Sequence, residues 1–97
     1  MLMLPATLTN REASDTLRML SQALQHEPGT DVVVNAGGLQ HLDSAALAVL
    51  LECERLAQAW GKTFSIRQAP AKLVALAKLY GVDELLLRNA EEAPTAA

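Results

Sequence analysis

Apolar positions along the chain change period several times, and each change marks an element. Ala13, Leu17, Leu20 and Leu24 recur at four-three-four spacing behind Asn10, Glu12 and Asp15. That spacing predicts an amphipathic helix to about His26, with Asn10 as N-cap and acidic residues in its first turns. Glu27-Pro28-Gly29-Thr30 is a stop-and-turn cluster. Residues 31–35 contain Val32-Val33-Val34, a β-branched run suited to a central strand buried on both faces. Residues 36–42 read as a loop, given conformational freedom by Gly37-Gly38. A second helix is expected from its cap Asp43 to Trp60, ending at Gly61 as the C′ glycine. Thr63-Phe64-Ser65-Ile66-Arg67 alternates and is a strand with Phe64 and Ile66 on one face.

Pro70 stands where a first helical residue is expected. The third helix carries Leu73, Leu76, Ala77 and Tyr80 on one face and stops at Gly81. Residues 82–88 predict one more short helix, and 89–97 a disordered tail. Residues 2–9, interrupted by Pro5, read as an edge strand or as a strand followed by an extended turn, since proline cannot donate to a central ladder. The alternation of strands and helices makes residues 1–88 one α/β domain with a small, mostly parallel sheet.

The second helix is apolar on more than one side. At about 100° per residue, Ala46, Val49, Leu50, Cys53, Ala57 and Trp60 form the stripe expected to face the sheet. The opposite side holds Ser44, Leu47, Ala48, Leu51, Arg55 and Gln58. Its second half is polar, as a solvated face should be; its first half is not. Leu47, Ala48 and Leu51 beside the Ser44 hydroxyl predict a docking surface for another protein. The alternative is that another element of the same domain covers them.

Composition narrows the options. The 97-residue chain is 51% hydrophobic but only 3% aromatic, so its core is aliphatic. A formal net charge of -3 argues against nucleic acid as partner, because phosphate neutralisation needs a basic face. A single cysteine, Cys53, permits no internal disulfide, and no Cys/His cluster suggests a metal. Cys53 reads as a small core residue, His26 as a helper at a helix end, and Lys72 and Lys78 as a solvated face. The start lacks the pattern of a signal peptide, and no apolar run is long enough to insert in a bilayer, so a cytoplasmic protein is expected.

His41, Asp43 and Ser44 contain the residue types of a hydrolytic triad. Three near neighbours on one loop do not readily form the relay, and no G-x-S-x-G elbow is present. Gly37-Gly38 matches neither phosphate-binding glycine motif. No catalytic residue and no cofactor is therefore expected. Phosphate on Ser44 would place negative charge at a helix N-terminus, where it favours the helix but disrupts an apolar contact.

Val32-Val33-Val34-Asn35, then Leu42-Asp43-Ser44-Ala45-Ala46-Leu47, then Ala77-Lys78-Leu79-Tyr80-Gly81-Val82 together resemble a STAS domain. This is the fold of anti-sigma factor antagonists, sulfate-transporter tails and a lipid-transport subunit, and the resemblance covers roughly residues 4–88. The segment from Leu76 to Tyr80 looks most like the Mla B subunit, the STAS component of a phospholipid ABC transporter. The resemblance implies a non-enzymatic domain that binds the cytoplasmic ATPase subunit and, through it, a membrane permease. It would thereby sit at the inner membrane and serve outer-membrane lipid asymmetry. The contact would involve the Asp-Ser loop and the helix after it, here His41, Asp43, Ser44, Leu47, Ala48, Leu51 and Arg55. Ser44 matches the family's regulatory serine or threonine. The alternative is an anti-sigma factor antagonist controlled by phosphorylation of Ser44. Ala46 stands where those antagonists usually carry glycine, and the N-terminal strand pair is shortened to residues 2–8.

Overall fold

The computed structural model describes residues 2–87 and the backbone of residues 91–92. The elements are β1 (Leu2–Met3), β2 (Thr7–Leu8), α1 (Ala13–His26), β3 (Asp31–Asn35), β4 (His41–Leu42), α2 (Ser44–Ala59), β5 (Thr63–Ala69), α3 (Ala71–Leu79), α4 (Asp83–Leu87) and β6 (Glu91–Glu92). One sheet has the order β1-β3-β5-β6; β2 and β4 form a second, two-stranded ladder. Every described pairing is parallel. Of the tail expected at 89–97, residues 91–92 pair with β5, and the rest lies outside the described residues.

The N-terminal stretch is two strands rather than one. Pro5 lies where the chain leaves β3 and joins the second ladder. On one side of it the Leu4 N–H donates to the Asn35 carbonyl at 3.0 Å. On the other, the Ala6 carbonyl accepts from the N–H groups of Gln40 and His41 at 2.8 and 2.9 Å. The expected loop at 36–42 therefore ends in a strand, β4. Two-residue strands of this kind carry no periodicity to read.

Along β3, Val32 and Val34 are buried while Val33 is only half-buried. The strand has one fully covered face, not the two that three consecutive valines suggested. Phe64, Ile66 and Ala69 of β5 share the covered side with them, and Leu20, Leu24, Leu50, Leu73 and Leu86 come from the four helices. Helix α1 begins later than Asn10 implied. The Thr9 N–H and hydroxyl both donate to Glu12 Oε1, at 3.0 and 2.6 Å, and Glu12 is the residue before the helix. These contacts hold the Glu12 carboxyl below its ordinary range.

The far end of α1 is closed by Lys62, whose Nζ donates to the carbonyls of Leu24 and Glu27 at 2.8 and 2.6 Å. A cation there also suits the negative end of the helix dipole. His26 assists as expected, with Nδ1 2.8 Å from the Gln22 carbonyl. Gly61 and Gly81 take positive φ after α2 and α3, the left-handed step that ends both helices. Trp60, placed on the core stripe by spacing, is 40% exposed because it caps α2 beyond its last packed turn. Tyr80 caps α3 in the same way and is also exposed.

Candidate functional site

Both α2 and α3 start where a parallel strand ends, the edge of an α/β sheet at which loops are presented for binding. Asp43 organises the head of α2. Its backbone is extended, and its Oδ1 accepts from the Ala45 N–H at 2.8 Å, as an N-cap should. Its Oδ2 accepts from the Asn10 N–H at 3.2 Å. Asp43 is half-buried, with both oxygens engaged by this chain's own backbone, so it positions the site rather than offering itself to a partner.

Ser44 follows as the first helical residue and is exposed. Just before the cap, pairing of β4 with β2 buries Leu42 and turns His41 to the surface. No hydrogen bond joins the side chains of His41, Asp43 and Ser44 among the described residues. These three residues are thus brought to one corner, but not in the arrangement of a relay.

The outward face of α2 differs from the expected patch at one position. Leu47 is 2% exposed and belongs to the core. The helix packs against α1, β5, α3 and α4, so neighbours flank it as well as lie beneath it. Its buried arc consequently extends from Val49 round through Leu50 to Leu47 and Glu54, wider than one sheet-facing stripe. What remains outside is Ser44, Ala48, Arg55 and Gln58, with Leu51 and Glu52 half-buried at the margin.

This remaining face is mixed in character. The Arg55 Nε donates to Glu52 Oε1 and Oε2 at 3.2 and 3.0 Å, and its Nη2 also contacts Oε1. The contact lowers the Glu52 carboxyl and raises the Arg55 guanidinium relative to their ordinary values. A protein docking here meets Ser44, Ala48 and the exposed part of Leu51, bordered by this ion pair. Glu52 was not among the expected site residues; its three-residue spacing from Arg55 is the signal that marks it.

A second feature at the same edge of the sheet was not legible. Gln68 has φ of 59°, at an irregularity of β5 between Arg67 and Ala69. Gly37 packs closely opposite it. A Cβ on Gly37 would stand 2.9 Å from Asn35 Oδ1, which accepts from the Gly37 N–H, and 3.1 Å from the Gln68 Cβ. Glutamine is not a residue type that announces a left-handed backbone.

Cys53 is buried, and that burial pushes its thiol up to about 12, which leaves it without thiolate at neutral pH. Among the described residues, no three His, Cys, Asp or Glu side chains are grouped to hold a metal ion. No helix among them is long and apolar enough to cross a membrane.

A family model described as Mlab, STAS domain, matches residues 1–88. The chain belongs to the STAS domain family. The fold agrees: an anti-sigma-factor antagonist (STAS) domain protein from Planctomyces limnophilus superposes with a TM-score of 0.75. The two are 14% identical, and the match covers 96% of this chain and 80% of that one. No curated protein sequence matches the chain significantly. STAS domains are in general regulatory or binding domains, and the head of α2 in this one is exposed at Ser44 and Ala48.

Proposed function

We propose that this STAS domain is a non-enzymatic accessory subunit of a Mla-type phospholipid ABC transporter. In this reading it docks on the transporter's cytoplasmic ATPase subunit and is held beside the permease at the inner membrane through that partner. The observation that carries the reading is the match of residues 1–88 to the Mlab STAS model. In this reading the corner at α2 supplies the contact. Asp43 fixes the helix start, Ser44 stands at the polar rim, and Ala48 with part of Leu51 gives apolar area behind it. Burying Ala48 and the rest of Leu51 contributes only about 25 cal/mol per Å² of apolar area. The face therefore acts by fit, and a bulky charge on it is the sensitive probe. Co-purification and titration calorimetry with the ATPase subunit, for the native chain and for Ser44→Glu, test the assignment.

A second reading is supported by the exposure of the Ser44 hydroxyl. In it the domain is an anti-sigma factor antagonist released from its partner when a kinase phosphorylates Ser44. Incubation with a cognate kinase followed by intact-mass measurement separates the two. A phosphate on Ser44 together with failure to bind the ATPase supports the second.

A further inference from the structure

Thr9 to Glu12 join β2 to α1, and the two ends of this segment are fastened to each other. The Glu12 N–H donates to the Thr9 carbonyl at 3.1 Å. The Glu12 side chain turns back, and its Oε1 accepts from the Thr9 N–H and hydroxyl at 3.0 and 2.6 Å. The Thr-x-x-Glu spacing is that of a capping box, which fixes how a chain enters a helix. Here the clasp encloses Asn10 and Arg11, both exposed. Its effect falls on a backbone group: the Asn10 N–H donates to Asp43 Oδ2 at 3.2 Å.

Asp43 receives this bond at the head of α2. Strands β2 and β4 enter the corner side by side, with Leu8 and Leu42 paired and both buried. Their ladder ends there, and beyond Leu42 the Asn10–Asp43 bond joins the start of α2 to the β2 side. The other Asp43 oxygen accepts from the Ala45 N–H at 2.8 Å, in the first turn of α2. A carboxylate held at both oxygens has a fixed orientation, and that orientation sets the turn carrying Ser44. Thr9 and Glu12 are half-buried and bonded to each other, so they reach this corner through the Asn10 N–H.

We propose that Thr9 and Glu12 are positioning residues for the docking corner: their clasp holds the Asn10 N–H on Asp43 and so sets how the first turn of α2 presents Ser44 and Ala48. This role rests on the docking reading for its partner, the ATPase subunit, whereas the coupling through Asp43 is a property of the chain alone. Removing the clasp leaves the Asp43 cap in place but frees its second anchor. The head of α2 then spends part of its time outside the docking arrangement, and apparent affinity falls by that fraction.

Amide NMR spectra of the full chain alone, followed by titration with the Mla-type ATPase subunit, form the test. Glu12→Ala should shift the Asn10, Ser44 and Ala45 amide resonances and speed hydrogen exchange at Ala45. It should weaken ATPase binding about three- to tenfold, the range expected for one lost hydrogen bond. Glu12→Gln keeps an acceptor for Thr9 and should restore near-native binding. Asp43→Ala should weaken binding at least as much as Glu12→Ala, and the double variant should lose no more than Asp43→Ala alone. Val74→Ala, a truncation in the α3 core, should lower stability while leaving the Ala45 amide and the affinity unchanged. Unmoved Ser44 and Ala45 amides in Glu12→Ala overturn the coupling, whatever the ATPase does. Shifted amides with native-strength binding overturn the positioning role, as do losses that add fully in the double variant. No binding by the native chain overturns the docking reading and this role with it, while the amide shifts still report the coupling.

Discussion

The Asp43 carboxylate joins the starts of two helices: one oxygen accepts from the Ala45 N–H inside α2, the other from the Asn10 N–H ahead of α1. The loop that presents Ser44 is thereby tied to a segment 33 residues earlier in the chain. Asp43→Ala removes both acceptors and leaves two backbone donors without them. Loss of an N-cap alone costs about 0.5–2 kcal/mol, and the second contact puts the expected loss at the upper end of that range. Asp43→Asn keeps an acceptor for the cap and should cost less. Urea denaturation of the three proteins measures both differences.

Leu47 and Ala48 are sequence neighbours with opposite roles. Leu47→Ala opens a cavity between α2 and its flanking elements, and comparable truncations cost about 2–5 kcal/mol. Ala48→Glu adds a charge on the solvated side and should leave the denaturation midpoint nearly unchanged. If instead Leu47→Ala were neutral, the outward placement that helical spacing alone suggested would stand.

That contrast shows what could be read from the chain and what could not. Helix α1 ends at His26 as its apolar spacing implied, Asp43 is the cap its residue type announced, and Gly61 and Gly81 take the left-handed step. Each of these depends on local chemistry. Leu47, Trp60 and β4 went otherwise because each depends on neighbours that local pattern does not encode. Flanking helices widened the buried arc of α2, the helix end freed Trp60, and the pairing of His41–Leu42 with Thr7–Leu8 made strands out of two-residue segments. The same applies to Asn10: it is a good cap by type, but its N–H is taken by Asp43 and the turn is closed by Thr9 and Glu12.

Glu12 makes one region of the domain pH-dependent. Hydrogen bonds from Thr9 lower its carboxyl from 4.5, so its contribution to stability is present above that value and is lost as pH falls through the lower folded-state one. The native chain should be more stable than Glu12→Gln at pH 7, with the gap closing on acidification below the ordinary glutamate range. Denaturant midpoints of both proteins between pH 7 and pH 2.5 would show it. A gap that widens toward acid would contradict the role assigned to the Thr9 contacts.

Cys53 should be chemically silent in the folded domain. With its thiol pushed up to about 12 and the side chain buried, reaction with an aromatic disulfide reagent at pH 8 should be slower than in the unfolded chain by roughly a hundred-fold or more. Equal rates with and without denaturant would mean that the α2 core stripe opens readily.

The docking assignment rests most directly on one titration, that of the Mla-type ATPase subunit with the native chain, Ser44→Glu and Ala48→Glu. An acidic residue at position 44 suits the first turn of α2, so neither variant should lose its fold, which circular dichroism verifies. The account predicts saturable binding of the native chain and at least a tenfold loss for each variant. No binding by the native chain, or binding of native strength by both folded variants, would contradict it.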